Sequence, residues 1–217
     1  METVSQADTV VFDKTGTLTV SSPQVKDIVT FEGNDKKEML KLAACLEEHY
    51  PHSIANAVVK AAADEGLVHE EKHSKVEYVV AHGIVSSING KKVLIGSHHF
   101  LFEDEKCIIP EGEKEKFNNI PDEYSHLYMA IGNRLVAVIL IEDPIRKESG
   151  QLIHSLHESG LHNLVMMTGD SERTAKAVAS KVGMDAYYSE VLPEDKATFV
   201  RKEKSNGKKV IMIGDGI

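Results

Sequence analysis

Long hydrophobic runs are missing from this sequence of 217 residues. The longest uninterrupted apolar stretch, Leu135 to Ile141, has the length of a strand, far short of the roughly 20 residues a helix needs to cross a bilayer. The N-terminus lacks the charged-then-apolar pattern of a secretory signal. Cysteine is scarce: Cys45 and Cys107 form no Cys-x-x-Cys pair, which leaves no basis for a zinc knuckle or a disulfide scaffold and suits a reducing cytoplasm. Positive charge is in deficit, with 25 Lys and Arg against 34 Asp and Glu for a formal net charge of −9. A phosphate backbone would be repelled over most of such a surface, so nucleic acid is not an expected partner. The remaining composition, 41% hydrophobic and 27% charged, is that of a globular chain with length for one large or two small domains.

The most informative stretch is Asp13-Lys14-Thr15-Gly16-Thr17-Leu18-Thr19, preceded by Thr9-Val10-Val11-Phe12. A β-branched and aromatic run ending in a carboxylate and a glycine-containing turn predicts a buried strand that presents Asp13 at its exposed end. Peptide N–H groups around Gly16, freed of Cβ crowding, can wrap an anion there. Taken alone, an Asp-x-Thr is as well explained by a helix cap and turn-favouring threonines.

Downstream the pattern divides. Asp35-x-x-Glu38 is a capping box followed by an apolar stripe, predicting a helix to about Glu47. His49-Tyr50-Pro51 breaks it, and Ser53 is positioned to cap a second helix that stops at Gly66. The period then falls to two. Strands are predicted over 76–80, 84–88 and 93–95, with a hairpin at Asn89-Gly90, and over 127–131 and 135–140, with a turn at Gly132-Asn133. Residues 103–119 read as a charged loop and surface helix. From Asp143, strand and helix alternate: a helix capped by Asp143 before Pro144 and running to Gly160, a strand 164–167 ending in Thr168-Gly169-Asp170, a helix ending at Gly183, a helix from Pro193 to Asn206-Gly207, and a strand 210–213 ending in Gly214-Asp215-Gly216. Alternation of this kind implies right-handed crossovers and a parallel sheet.

The expected architecture is α/β: a Rossmann-like parallel-sheet domain formed by 1–24 and 141–217, interrupted by an α+β domain over 25–140 with an antiparallel sheet. In the parallel sheet the strand ends bearing Asp13, Thr168 and Asp215 lie together, where open α/β sheets place their ligands.

The seven residues from Asp13 resemble the phosphorylation signature of P-type ATPases, ion pumps of the haloacid-dehalogenase superfamily. The resemblance implies Asp13 as nucleophile forming an aspartyl phosphate, with Lys14 and Thr15 in the same signature. It implies Mg²⁺ held by Asp215, the Asp13 carboxylate and the Thr15 carbonyl, since a hard cation takes oxygen ligands. Thr168 and Lys196 would hold the transferring phosphoryl group, and Asp170, after Gly169, would support that pocket. Each of these read alone is ordinary: a turn and cap, a solvated lysine, a glycine turn. In soluble phosphatases of the superfamily the residue two after the nucleophile is usually a second aspartate that activates water. Here Thr15 cannot take a proton at neutral pH, so the phosphoenzyme is expected to persist, as in a pump.

The inserted domain resembles that of the heavy-metal-transporting subgroup, in which it binds ATP. Glu47 and His52 keep the subgroup's spacing of a glutamate and a His-Pro, although Ser53 replaces the proline. Ala81-His82-Gly83 keeps one glycine of a Gly-x-Gly, and Gly96-Ser97 matches a later glycine. Glycines let a flat base approach the backbone; equally, His52 reads as a surface residue at a helix start and Gly83 as a strand turn. Among the 11 histidines, His98-His99 would face opposite sides of a strand. His154 and His157 share a helix face, yet no Cys or carboxylate set completes an obvious transition-metal site.

The sequence therefore predicts a piece of an ATP-driven cation pump at the cytoplasmic face of a membrane. It would hold the nucleotide-binding domain and an incomplete phosphorylation domain, partnered by transmembrane and actuator domains elsewhere in the parent, and it would not bind the transported cation itself. A soluble phosphatase with a cap domain is the alternative, and a non-catalytic nucleotide-binding module is a third.

Overall fold

A computed structural model describes residues 7–20, 22–67, 76–79 and 83–214. The chain divides into two compact units, one of residues 1–22 and 143–217 and the other of 23–142.

In the first unit the predicted alternation is realised as a parallel sheet. Strands β1 (Thr9–Asp13), β8 (Leu164–Met167), β9 (Ala186–Tyr188) and β10 (Val210–Ile213) lie in the order β10-β1-β8-β9. All three pairings are parallel, with Phe12 opposite Ile213 and Asp13 opposite Met167. Buried on both faces, β1 can be apolar throughout. Val10 and Phe12 pack with Ile153 of α4 (Lys147–Glu158) and with Ala175 and Val178 of α5 (Glu172–Val182). Val11, Val165 and Met167 face the other way, toward Phe199 of α6 (Pro193–Ser205). Gly183 ends α5 with φ +85°, the left-handed conformation that favours glycine.

The predicted helix start at Asp143-Pro144 is corrected. Helix α4 begins at Lys147, because the residues before it are occupied elsewhere: Val20 N–H donates to Pro144 O, Arg146 N–H donates to Leu18 O, and Ile145 pairs with Thr19. Strand β9 was not legible, being three residues long.

The second unit is a six-stranded antiparallel sheet in the order β2-β7-β6-β5-β4-β3. Its strands are β2 (Gln24–Thr30), β3 (Glu77–Val79), β4 (Gly83–Ile88), β5 (Lys91–Gly96), β6 (Ser125–Ile131) and β7 (Arg134–Glu142). Helices α1 (Lys36–Glu47) and α2 (Ser53–Asp64) cover one face, where Leu40, Leu46 and Val58 meet Ile84, Ile95, Met129 and Ile139. The other face packs Leu94, Tyr128 and Val138 against Phe31 and against Phe100 and Leu101 of a helical turn over His99–Asp104. Phe117 of the short α3 (Lys114–Asn118) joins it.

Three expectations differ here. Strand β2 was not predicted, because Lys26 and Asp27 interrupt its alternation and a bulge shifts its register between Val25 and Asp27. His99 opens a helical turn and His98 precedes it in helical geometry, so the pair is not in a strand. The cap of α2 is His52 and not Ser53: its Nδ1 accepts the Ala55 N–H at 3.3 Å while Ser53 is already helical.

Gly83 has a clear packing reason. It pairs with Gly96 across β4 and β5, and a Cβ at position 83 would lie 2.3 Å from Ile95 O and 2.7 Å from Phe100. We expect Gly83→Ala to destabilise this unit by about 1–3 kcal/mol, measured by urea unfolding. Gly150→Ala, mid-helix with open space around it, should instead stabilise its unit by about 0.5–1 kcal/mol.

Candidate active site

Strand β1 ends at Asp13, and the turn that follows is built to be held. Thr15 (φ −71°, ψ 128°) and Gly16 (φ 78°, ψ −20°) are the central pair of a type II turn, whose second central residue needs the positive φ that glycine supplies. The Thr19 hydroxyl accepts from Gly16 N–H at 3.0 Å and donates to Lys14 O at 3.3 Å, while Thr19 N–H also bonds Lys14 O. The segment around α4 fastens the turn from outside. Arg146 gives its guanidinium to the Gly16 and Thr17 carbonyls, both at 3.1 Å, and the buried Ser149 hydroxyl donates to Leu18 O at 2.9 Å.

Lys196, on the first turn of α6, places Nζ 2.6 Å from Asp13 Oδ2. Its helix start is fixed by the Asp195 carboxylate, which accepts Leu192 N–H at 3.1 Å. At the end of β8, Thr168 Oγ1 donates to Asp170 Oδ2 at 2.8 Å and accepts Asp170 N–H at 3.1 Å. Gly169 between them has Val191 O 3.8 Å from where a Cβ would stand.

Lys14 lies beneath these groups, 3% exposed. Its ammonium is 2.8 Å from Asp170 Oδ2 and 3.6 Å from Asp143 Oδ2. Burial pulls the Lys14 pKa down, but the Asp170 and Asp143 carboxylates more than offset this and hold it above the ordinary lysine value. Asp143 Oδ1 is buried with no hydrogen-bond partner among the described residues.

The structure therefore brings Asp13, Lys14, Thr168, Asp170 and Lys196 to one end of one sheet. Thr15 sits in the adjoining turn. Asp215 lies outside the described residues, though Gly214 is close enough to Asp13 that a Cβ on it would be 3.6 Å from Asp13 Cβ. Sequence reasoning missed Asp143, Arg146 and Ser149 as site residues. The available signal was that Asp143, like Asp13, follows an apolar strand; it was assigned to a helix cap instead.

In the second unit, Glu47 ends α1 almost fully buried, and its Oε2 has no hydrogen bond among the described residues. His52 Nε2 is 3.4 Å away, in a geometry that does not make a hydrogen bond. Because Nδ1 accepts from Ala55, the neutral ring carries its proton on Nε2, facing Glu47. Gly83 and Gly96 lie in the same unit on β4 and β5. Ala81 and His82 lie outside the described residues.

No helix among the described residues is long and apolar enough to cross a membrane, and among them no cluster of three His, Cys, Asp or Glu side chains is disposed to hold a metal. A strand-end carboxylate met by a lysine, beside a threonine hydroxyl and a glycine turn on a parallel sheet, defines an α/β domain organised for an anionic group. Residues 7–217 match the haloacid dehalogenase-like hydrolases, and the chain belongs to that family.

Its relatives narrow the resemblance. It is 38% identical over 217 residues to Copper-transporting ATPase 2 of Rhizobium meliloti (strain 1021), covering all of this chain and 26% of the relative. It is 33% identical over 219 residues to the Zinc-exporting P-type ATPase of Mycobacterium marinum, covering all of this chain and 30% of the relative. The solved catalytic domain of the CPx-ATPase CopB-B, studied for conformational change upon nucleotide binding, superposes with a TM-score of 0.74 at 27% identity, over 100% of this chain and 74% of that one. The resemblance to heavy-metal P-type ATPases and the expected fold class are both met. The chain spans roughly a quarter of the length of these curated relatives.

The buried lysine gives a prediction. Lys14→Met leaves two carboxylates without their cation and should cost about 3–5 kcal/mol in the first unit, read by chemical unfolding. Since the folded pKa of Lys14 is raised, its contribution is complete below the unfolded value near 10.4 and is lost only as pH rises through the folded value. The difference between wild type and Lys14→Met should thus stay constant from pH 7 to about pH 10 and shrink above it.

Proposed function

We propose that this chain is the catalytic portion of an ATP-driven heavy-metal pump, in which Asp13 takes the γ-phosphoryl group of ATP. The observation that carries the reading is the Lys196 ammonium 2.6 Å from Asp13 Oδ2 at the strand end shared with Thr168. Phosphoryl transfer asks for an in-line nucleophile and fixed positive and donor groups on the spreading charge. Asp13 supplies the carboxylate oxygen. Lys196 meets the negative charge, and the Thr168 hydroxyl, oriented by Asp170, sits on the neighbouring strand end. Lys14 is committed to Asp170 and Asp143 and acts by holding Asp170.

Mg²⁺ suits the donor set, because the Asp13 carboxylate and the Thr15 carbonyl are hard oxygens and Gly214 carries the chain past Asp13 into Asp215. Bound there, it would neutralise phosphate oxygens during transfer. The nucleotide belongs to the second unit, where the buried Glu47 oxygen has no hydrogen bond among the described residues and would accept from the exocyclic amine of adenine. His52 stands at its edge. Transmembrane and actuator domains of a longer parent at a membrane's cytoplasmic face are the partners this reading requires, and the transported cation is bound by them. Copper- and zinc-exporting relatives support a pump over the phosphatase alternative, as does Thr15 in place of a second acid.

Incubation with γ-labelled ATP and Mg²⁺ of a polypeptide carrying these residues should give an acid-stable, hydroxylamine-labile label, abolished by Asp13→Asn. Phosphate release from small esters without accumulated label would favour the phosphatase. ATP titration of His52→Gln should show weaker binding than wild type; unchanged affinity would remove His52 from the site.

A further inference from the structure

The chain between Glu47 and His52 carries an aromatic stack that the sequence did not disclose. Tyr50 lies between those two residues in the chain. It is fixed at both ends, its N–H donating to Glu47 O at 3.1 Å and its hydroxyl to Val76 O at 3.2 Å. Its ring stacks on Tyr78 of β3, with centroids 4.9 Å apart and planes 24° from parallel. Tyr78 itself is 38% exposed, and among the described residues Tyr50 is the ring it stacks upon.

Strand parity decides which groups can share a ligand. Tyr78 pairs with Ile84, and Ile84 pairs with Ile95. Ile84 and Ile95 belong to the core under α1 and α2, against which Val76 and Tyr50 also pack. Tyr78 is therefore on the helix-covered side of the sheet, the side of Glu47 and His52. Gly83 and Gly96 pair with each other one residue further on, so their missing side chains point to the opposite side. That space is already filled by Phe100. Gly83 has a packing reason on the far side, and the flat surface available on the helix-covered side is a tyrosine ring.

We infer that Tyr78, backed by Tyr50, is the stacking surface for the purine base of a nucleoside triphosphate at the Glu47 and His52 site. The inference rests on the proposed nucleotide site and deepens it. Tyr78 grips the base face while Glu47 reads its edge, so the tyrosine contributes affinity for the base and none for the phosphates.

The test is calorimetric titration of the 217-residue chain with ATP and, separately, with inorganic tripolyphosphate. Tyr78→Leu, which keeps an apolar contact for Tyr50, and Tyr78→Ala should each weaken ATP binding by about five- to tenfold or more, the scale of one lost base stack. Tyr78→Phe should bind as wild type, and tripolyphosphate binding should be the same in all four proteins. Circular dichroism melting identifies any variant that has lost its fold, in which case the Leu and Phe pair carries the comparison. If ATP affinity is unchanged in Tyr78→Leu while Glu47→Gln weakens it, Tyr78 is not the stacking surface and the nucleotide site stands without it. If the wild-type chain does not bind ATP, the nucleotide site falls and this inference falls with it.

Discussion

One ammonium group joins three stretches of chain in the first unit. Lys14 follows Asp13 at the end of β1, Asp170 belongs to the turn after β8, and Asp143 lies where the chain comes back from the inserted unit, and all three side chains meet in a nearly dry place. Charges so enclosed are stable only as a set, since any member left alone would face a large desolvation cost. The set has a positional consequence. With Asp170 held by Lys14, the Thr168 hydroxyl has one orientation, and with its turn tied to Arg146 and Ser149, Asp13 has one as well. The groups that would face a phosphoryl group are thus fixed before it arrives, which is the condition under which electrostatic stabilisation is most effective.

The parallel sheet was legible because its strands are continuous apolar runs ending in short polar turns, and its helices carry clear 3.6-residue stripes with glycine stops. Asp13, Thr168 and Lys196 could be placed at one site because chain order in such a sheet fixes which ends are shared. Asp143 was harder. Asp-Pro is a strong helix-start pattern in isolation, and only the long-range pairing of Ile145 with Thr19 and of Pro144 with Val20 shows that this segment is committed to the turn after Asp13. No local pattern carries that information.

In the second unit the two helices and two hairpins followed from capping residues and period-two alternation, while β2 stayed hidden behind Lys26 and Asp27. Glu47 and His52 stood out by their spacing, but the relation between them did not. Their contact arises because His52 turns Nδ1 inward to cap α2 and so presents Nε2 to a buried carboxylate. The glycines illustrate the converse. A residue type that permits ligand approach also permits close strand packing, and the 2.3 Å clash a Cβ would make at position 83 shows that the second constraint operates there.

The account's central claim is a covalent bond from phosphorus to a carboxylate oxygen of one residue, and chemical trapping reads that bond directly. After reaction with ATP and Mg²⁺, borohydride reduction converts an aspartyl phosphate to homoserine, which peptide mass spectrometry locates. The account predicts homoserine at position 13 and nowhere else. Phosphate recovered on a threonine of the same turn, or an unreduced Asp13 in protein that has become labelled, would contradict it.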